Sequence, residues 1–272
     1  MYTAFKLHSF KESACALHRI AFLQTPEEEH QHLDIGCGDG SFTRDYLVSR
    51  SWPCKKVLGV DKSPEFIEYA RKHNTKENII FDVFDFGCQE TEDLIANCGT
   101  FDRIYSFLYF HAVKDGRKAY RDLCKLLTPG SGECLIFSVV SNCFTDAWMQ
   151  MHLTKRWCQI IPDPRPCFSD CHKFIFGNNF DKIESEIREL VTDAGMETVA
   201  CHVFESGWPF PNVNTFVDLL FNVIPFEPSV PECDIEDAKT ELARLVQASA
   251  GQQHSGFNAK MVFYVLHSKS AS

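Results

Sequence analysis

The stretch Leu33-Asp34-Ile35-Gly36-Cys37-Gly38-Asp39-Gly40 constrains this chain more than any other. A short apolar run ends there, glycine recurs at alternate positions, and a helical pattern over 42–50 follows. The segment therefore reads as strand, tight turn and helix. Without Cβ atoms, Gly36, Gly38 and Gly40 let the chain turn sharply and let a ligand touch main chain. The helix that follows presents its first N–H groups at the same point. The plainer reading is a turn that uses glycine only for compactness. A dinucleotide loop needs its third glycine three residues after the second. Here that position is Ser41, and the glycine comes one residue early.

Short β-rich runs at 32–35, 56–60, 79–84, 101–107 and 133–140 alternate with helical patterns at 42–50, 65–73, 90–96 and 117–127. Ser63-Pro64 supplies an N-cap hydroxyl and a proline at the first helical position. Thr128-Pro129-Gly130 is a stop. Such alternation predicts an α/β fold, a Rossmann-like, mostly parallel sheet with helices on both faces. Further on, a helix over 183–194 precedes strands at 197–204 and 259–267, which gives seven strands in all. The segments 141–180 and 205–258 are too long for plain connections, and helical patterns at 215–224 and 235–248 make the second partly folded. We expect one domain over 1–272. Residues 1–140 would form the cofactor half, and the two long segments a substrate cap.

Composition narrows the partners. Asp plus Glu total 37 against 27 Lys plus Arg, a formal charge of −10. Such a balance disfavours a nucleic-acid partner, because phosphate binding draws on a basic surface. No run is long and apolar enough to span a membrane or to form a signal-peptide core. The 13 cysteines are scattered, as in buried free thiols of a reducing, cytoplasmic protein. Cys167, Cys171 and His172 come nearest to a metal pattern but lack a second ligand pair, so no metal is expected.

Asp61 ends the second strand, where an acid can accept from both hydroxyls of a ribose; capping the helix at Pro64 is its plainer role. Lys62 follows it. Asp85 and Phe86 close the third strand, suited to an adenine amino group and ring, with Asp82 as a competitor. A tight G-x-G-x-G loop with Asp34 before it resembles the class I methyltransferases. That resemblance implies S-adenosyl-L-methionine as cofactor, with Asp34 accepting from its α-ammonium and the loop amides embracing its amino-acid tail. Ser106, after the fourth strand, would line the cofactor. No Asn/Asp-Pro-Pro-Tyr sequence follows that strand, which argues against exocyclic amino acceptors and leaves small molecules.

The chain further resembles the arthropod juvenile hormone acid and farnesoic acid O-methyltransferases. The likeness runs through Ser106-Phe107, His111, the 125–130 stretch Lys-Leu-Leu-Thr-Pro-Gly, Ser141-Asn142, Asp146, Lys155-Arg156-Trp157, Pro225-Phe226 and the 262–265 strand. It implies methyl transfer to the carboxylate of a lipophilic acid. Two positions depart: Ala112 stands where the family has tryptophan, and the N-terminal glutamine is missing, with Phe10-Lys11-Glu12 in that region. His111 is the residue expected to hold the acceptor carboxylate. Lys11, Trp148, Trp157, Phe216 and Phe221 are expected at the substrate; a helix apolar nearly all round reads equally as core. Trp208, Phe210, Leu219, Leu220, Ile224 and Phe226 add to that apolar density. A phenol or amine methyltransferase, or a non-catalytic cofactor-binding relative, stands as the alternative. A homodimer is compatible with the sequence.

Overall fold

The computed structural model describes residues 2–170, 179–223, 230–250 and 256–271. Five strands, β1 (Gln31–Ile35), β2 (Lys56–Asp61), β3 (Ile79–Val83), β4 (Arg103–Phe107) and β5 (Glu133–Asn142), pair in parallel. Two longer ones, β6 (Met196–Phe210) and β7 (Phe257–Ser270), complete the sheet. β7 lies antiparallel to both β5 and β6, and the order is β3-β2-β1-β4-β5-β7-β6. The order reverses between β1 and β4. Connections there leave the sheet toward opposite faces, and a crevice opens at the carboxyl ends of the strands.

Alternating side chains feed two cores. Leu33, Ile35, Cys134 and Ile136 pack on one face under α4 (Thr91–Cys98), α5 (Gly116–Leu126) and α7 (Phe180–Asp193). Tyr105, Leu135 and Phe137 pack on the other, under α1 (Tyr2–Arg19), α6 (Cys143–His152), α8 (Val213–Val223) and α9 (Ile235–Ala250). A third cluster sets α3 (Pro64–His73) against Cys37, Ile79 and Phe81. Every residue of β5 is buried, as a strand covered on both faces requires.

Helix starts follow local chemistry. The Ser63 hydroxyl accepts from the Phe66 amide at 3.2 Å, with Pro64 in the first turn. Asp115 accepts from the Lys118 amide at 2.8 Å. Asn142 ends β5 and caps α6, accepting from the amides of Phe144 and Thr145 at 3.1 and 3.0 Å.

The expected helix over 42–50 is a π turn at Thr43–Leu47 that runs into the short α2 (Val48–Ser51). The sixth strand continues to Phe210 and the seventh begins at Phe257, so 205–210 belongs to the sheet rather than to the cap. The helices α1 and α6 have no counterpart in the sequence reading. The stripe of α1 that meets the rest of the protein includes Lys6, Ser9 and Ser13, so no apolar periodicity marks it. No helix among the described residues is long and apolar enough to cross a membrane.

Candidate active site

The glycine turn after β1 takes the left-handed conformations that its sequence allows: φ is 77° at Gly36, 56° at Gly38 and 73° at Gly40. A Cβ on Gly36 would stand 2.4 Å from the Tyr109 ring, and one on Gly40 2.5 Å from Phe81. A Cβ on Gly38 would meet nothing within 4 Å. Two glycines are thus required by neighbouring rings, while the middle one keeps a face clear for a ligand.

Asp34 lies beneath this turn, 3% exposed, and accepts from the Thr43 hydroxyl at 2.6 Å. Burial, with the Asp61 charge adding to it, pushes its carboxyl up to about 7, against the Thr43 bond. An incoming ammonium would restore the charged form. Asp61 splits its carboxylate between the turn and the helix, accepting from the amides of Gly38 at 3.0 Å and Ser63 at 2.9 Å. Each carboxylate oxygen has two lone pairs, so capping the helix leaves Asp61 able to accept further bonds.

Asp82 is exposed and pairs with Arg71 at 2.6 Å. Asp85 is half-buried, and its amide donates to the Gln89 side chain at 2.6 Å. Phe86 is buried, and its carbonyl accepts from the Tyr109 hydroxyl at 3.0 Å.

A cavity of about 360 Å³ opens from the turn. Asp34, Gly36, Cys37, Gly38 and Asp39 line its end at the turn; Val139, Phe168, Trp208, Phe216, Leu220 and Met261 line an apolar end. His111 and Asn142 stand on its wall. Leu108 borders the same space in a left-handed conformation, φ 56°, tied by its amide to the Phe137 carbonyl at 2.7 Å. Strain at a non-glycine residue next to a cavity points to a functional surface.

His111 is defined by Ser138. The Ser138 hydroxyl accepts from the His111 amide at 3.0 Å and lies 3.3 Å from Nδ1. The hydroxyl can give its own proton to Nδ1, a pairing that would leave the neutral ring's N–H at Nε2. Burial pushes the imidazole down to about 4, and the ring is neutral at physiological pH.

Several expected residues lie elsewhere. Lys11 is exposed on the outer side of α1, and Lys62 is exposed beyond β2. The buried Ser106 hydroxyl donates to the Ile35 carbonyl at 3.0 Å and ties β4 to β1. Trp148 is in the core, its indole N–H donating to the Pro162 carbonyl at 2.7 Å. Trp157 is buried under the Arg156 guanidinium, and Phe221 under the Lys239 ammonium. Of the five substrate candidates only Phe216 lines the cavity. In their place come Lys6, Ser9, Phe10 and Ser13, a stripe of α1 that sequence reasoning missed.

Cys171, His172, Ile224, Pro225 and Phe226 lie outside the described residues. Among the described residues no cluster of three His, Cys, Asp or Glu is arranged for a metal ion.

Residues 33–135 match the model of a methyltransferase domain. The chain is 25% identical over 200 residues to the juvenile hormone acid O-methyltransferase of Drosophila melanogaster, covering 73% of this chain and 65% of that protein. It is 24% identical over 205 residues to the enzyme of the same name from Bombyx mori, covering 75% and 69%. A candidate methyltransferase of Bacillus halodurans shares the fold, with a TM-score of 0.61 at 13% identity over 95% of this chain and 99% of that one. Residues 33–135 thus carry a methyltransferase domain on a Rossmann-like fold, and the chain is similar to the juvenile hormone acid O-methyltransferases.

Proposed function

We propose that this enzyme methylates the carboxylate of a small lipophilic acid of terpenoid or fatty type. The observation that carries the reading is His111, neutral and beside Ser138 on the wall of a largely apolar cavity. A carboxylic acid has an ordinary pKa near ~4 and arrives ionised, so it needs no base. A phenol or amine would need one, and an imidazole that burial pushes down to about 4 is a poor base.

When bound, the cofactor would supply its sulfonium methyl to the carboxylate oxygen, the C–O bond forming as the S–CH3 bond breaks and S-adenosylhomocysteine leaves. For the cofactor, Asp34 would hold the ammonium, Asp61 the ribose hydroxyls, and Asp85 with Phe86 the adenine edge. His111 would donate from Nε2 to the acceptor oxygen that is not methylated. Trp208, Phe216, Leu220 and Met261 would exclude water, which otherwise favours the separated charges over the transition state in which they are consumed. Alignment of this kind is worth up to roughly 7–11 kcal/mol.

The reading is tested with labelled cofactor against a panel of terpenoid, fatty and aromatic acids, phenols and amines. Transfer to acids and not to phenols supports it; cofactor binding without transfer to any acid refutes it.

A further inference from the structure

Most amides of the glycine turn, which the sequence suggested would embrace a ligand, are committed within the protein. Those of Gly36 and Cys37 donate to the Val60 carbonyl at 2.8 and 3.0 Å, and that of Gly40 to the Cys37 carbonyl at 3.0 Å. That of Gly38 goes to Asp61, and that of Ser41 to Asp39 at 3.1 Å. The carboxylates on this end of the cavity, Asp34 and Asp39, suit an ammonium and repel an anion. A ligand carboxylate placed here needs a cation or charged donors to replace water.

Lys6 answers that need. It lies on the stripe Lys6, Ser9, Phe10 and Ser13, whose spacing places all four on one side of α1, and all four line the cavity. Its ammonium is 2.5 Å from Asp39 Oδ2 and lies over the Phe10 ring. The bond ties α1 to the middle of the glycine turn across 33 positions of sequence. Both partners are about a third exposed, so the pair itself adds little to stability. Asp39 keeps other donors, since the Ser41 amide and hydroxyl both reach its Oδ1. Lys6 can therefore leave Asp39 without stranding it. Among the described residues lining the cavity, no other side chain carries a positive charge at neutral pH.

We propose that Lys6 is the anion receptor of this site: its ammonium rests on Asp39 and moves onto a ligand carboxylate, that of the cofactor's methionine tail. The proposal rests on the cofactor placement given above. The acceptor acid offers the same chemistry, and the test separates the two.

The test is calorimetry of wild type, Lys6→Gln and Asp39→Asn with two nucleosides. S-adenosylhomocysteine has the amino-acid tail; 5′-methylthioadenosine keeps the nucleoside and sulfur but lacks it. Lys6→Gln should weaken S-adenosylhomocysteine about tenfold and leave 5′-methylthioadenosine within about twofold. Asp39→Asn, which releases the ammonium, should keep or tighten S-adenosylhomocysteine. A third titration adds dodecanoate to protein saturated with S-adenosylhomocysteine. A tenfold loss there in Lys6→Gln, with nucleoside binding unchanged, keeps Lys6 as the receptor but assigns it the acceptor's carboxylate.

If both variants weaken both nucleosides alike, Lys6 is a latch holding the turn, and the proposal fails. It fails equally if Lys6→Gln changes none of the three titrations. Wild-type protein that binds neither nucleoside overturns the cofactor placement itself, a result distinct from either failure of Lys6.

Discussion

Replacing Asp34 with asparagine should make the ligand-free protein more stable while it ruins the cofactor site. The carboxyl is 3% exposed, and burial carries it from 3.8 to about 7. At about 1.4 kcal/mol per decade, ionising Asp34 in the folded protein costs about 4 kcal/mol more than in the unfolded chain. Between those two values the folded state binds more protons than the unfolded one. Wild-type stability from this group therefore falls as pH rises from 3.8 to about 7 and is level above. Asparagine keeps an oxygen for the Thr43 hydroxyl and has no charge to desolvate. Urea unfolding of both proteins should show the variant ahead by about 4 kcal/mol at pH 8 and by about 2 kcal/mol at pH 5. The same variant should bind S-adenosylhomocysteine at least tenfold more weakly, having lost the charged partner of the ammonium. A variant no more stable than wild type at pH 8 would refute the argument, because burial would then not oppose the carboxylate.

The glycines of the turn should separate by what surrounds them. Gly40→Ala drives a methyl to 2.5 Å from Phe81 at positive φ and should cost about 3 kcal/mol in thermal unfolding, whereas Gly38→Ala carries only the backbone strain of about 1–2 kcal/mol and should chiefly weaken S-adenosylhomocysteine. Equal melting temperatures would contradict this. Asp61→Ala should leave the circular dichroism spectrum unchanged and lower cofactor affinity about tenfold; undiminished affinity removes Asp61 from the site. His111→Ala should slow methyl transfer about tenfold or more, and the wild-type rate at saturating cofactor should be level from pH 6 to 9 because burial keeps the ring neutral down to about 4. A break in that profile near the ordinary histidine value would count against the buried neutral ring.

The sheet was legible because its strands are short, apolar and punctuated, and the glycine turn because positive φ leaves few residue choices. The substrate wall was not. Trp148 and Trp157 are as apolar and aromatic as Trp208, and only Trp208 reaches the cavity. What separates them is a carbonyl at Pro162 or a guanidinium at Arg156, partners that composition cannot assign. Lys11 and Lys6 differ by helical phase alone, and α1 shows no apolar stripe from which phase could be read. A helix whose inner side faces a polar crevice conceals itself from any hydrophobic pattern. For α6 a signal was present, Asn142 followed by Thr145 as a capping pair at the end of a buried strand.

The antiparallel β6–β7 ladder, from Met196 paired with Ser270 to Phe210 paired with Phe257, outreaches the parallel strands and carries Trp208 and Met261 to the acceptor end. The residues proposed to hold the nucleoside come before 90, and this hairpin with α8 comes from beyond 195. Selection could therefore recut the acceptor wall by lengthening, bending or re-facing one ribbon while the methyl donor's berth stays untouched. Divergence in what is methylated should thus accumulate in the ribbon and in α8, ahead of any drift around the glycine turn.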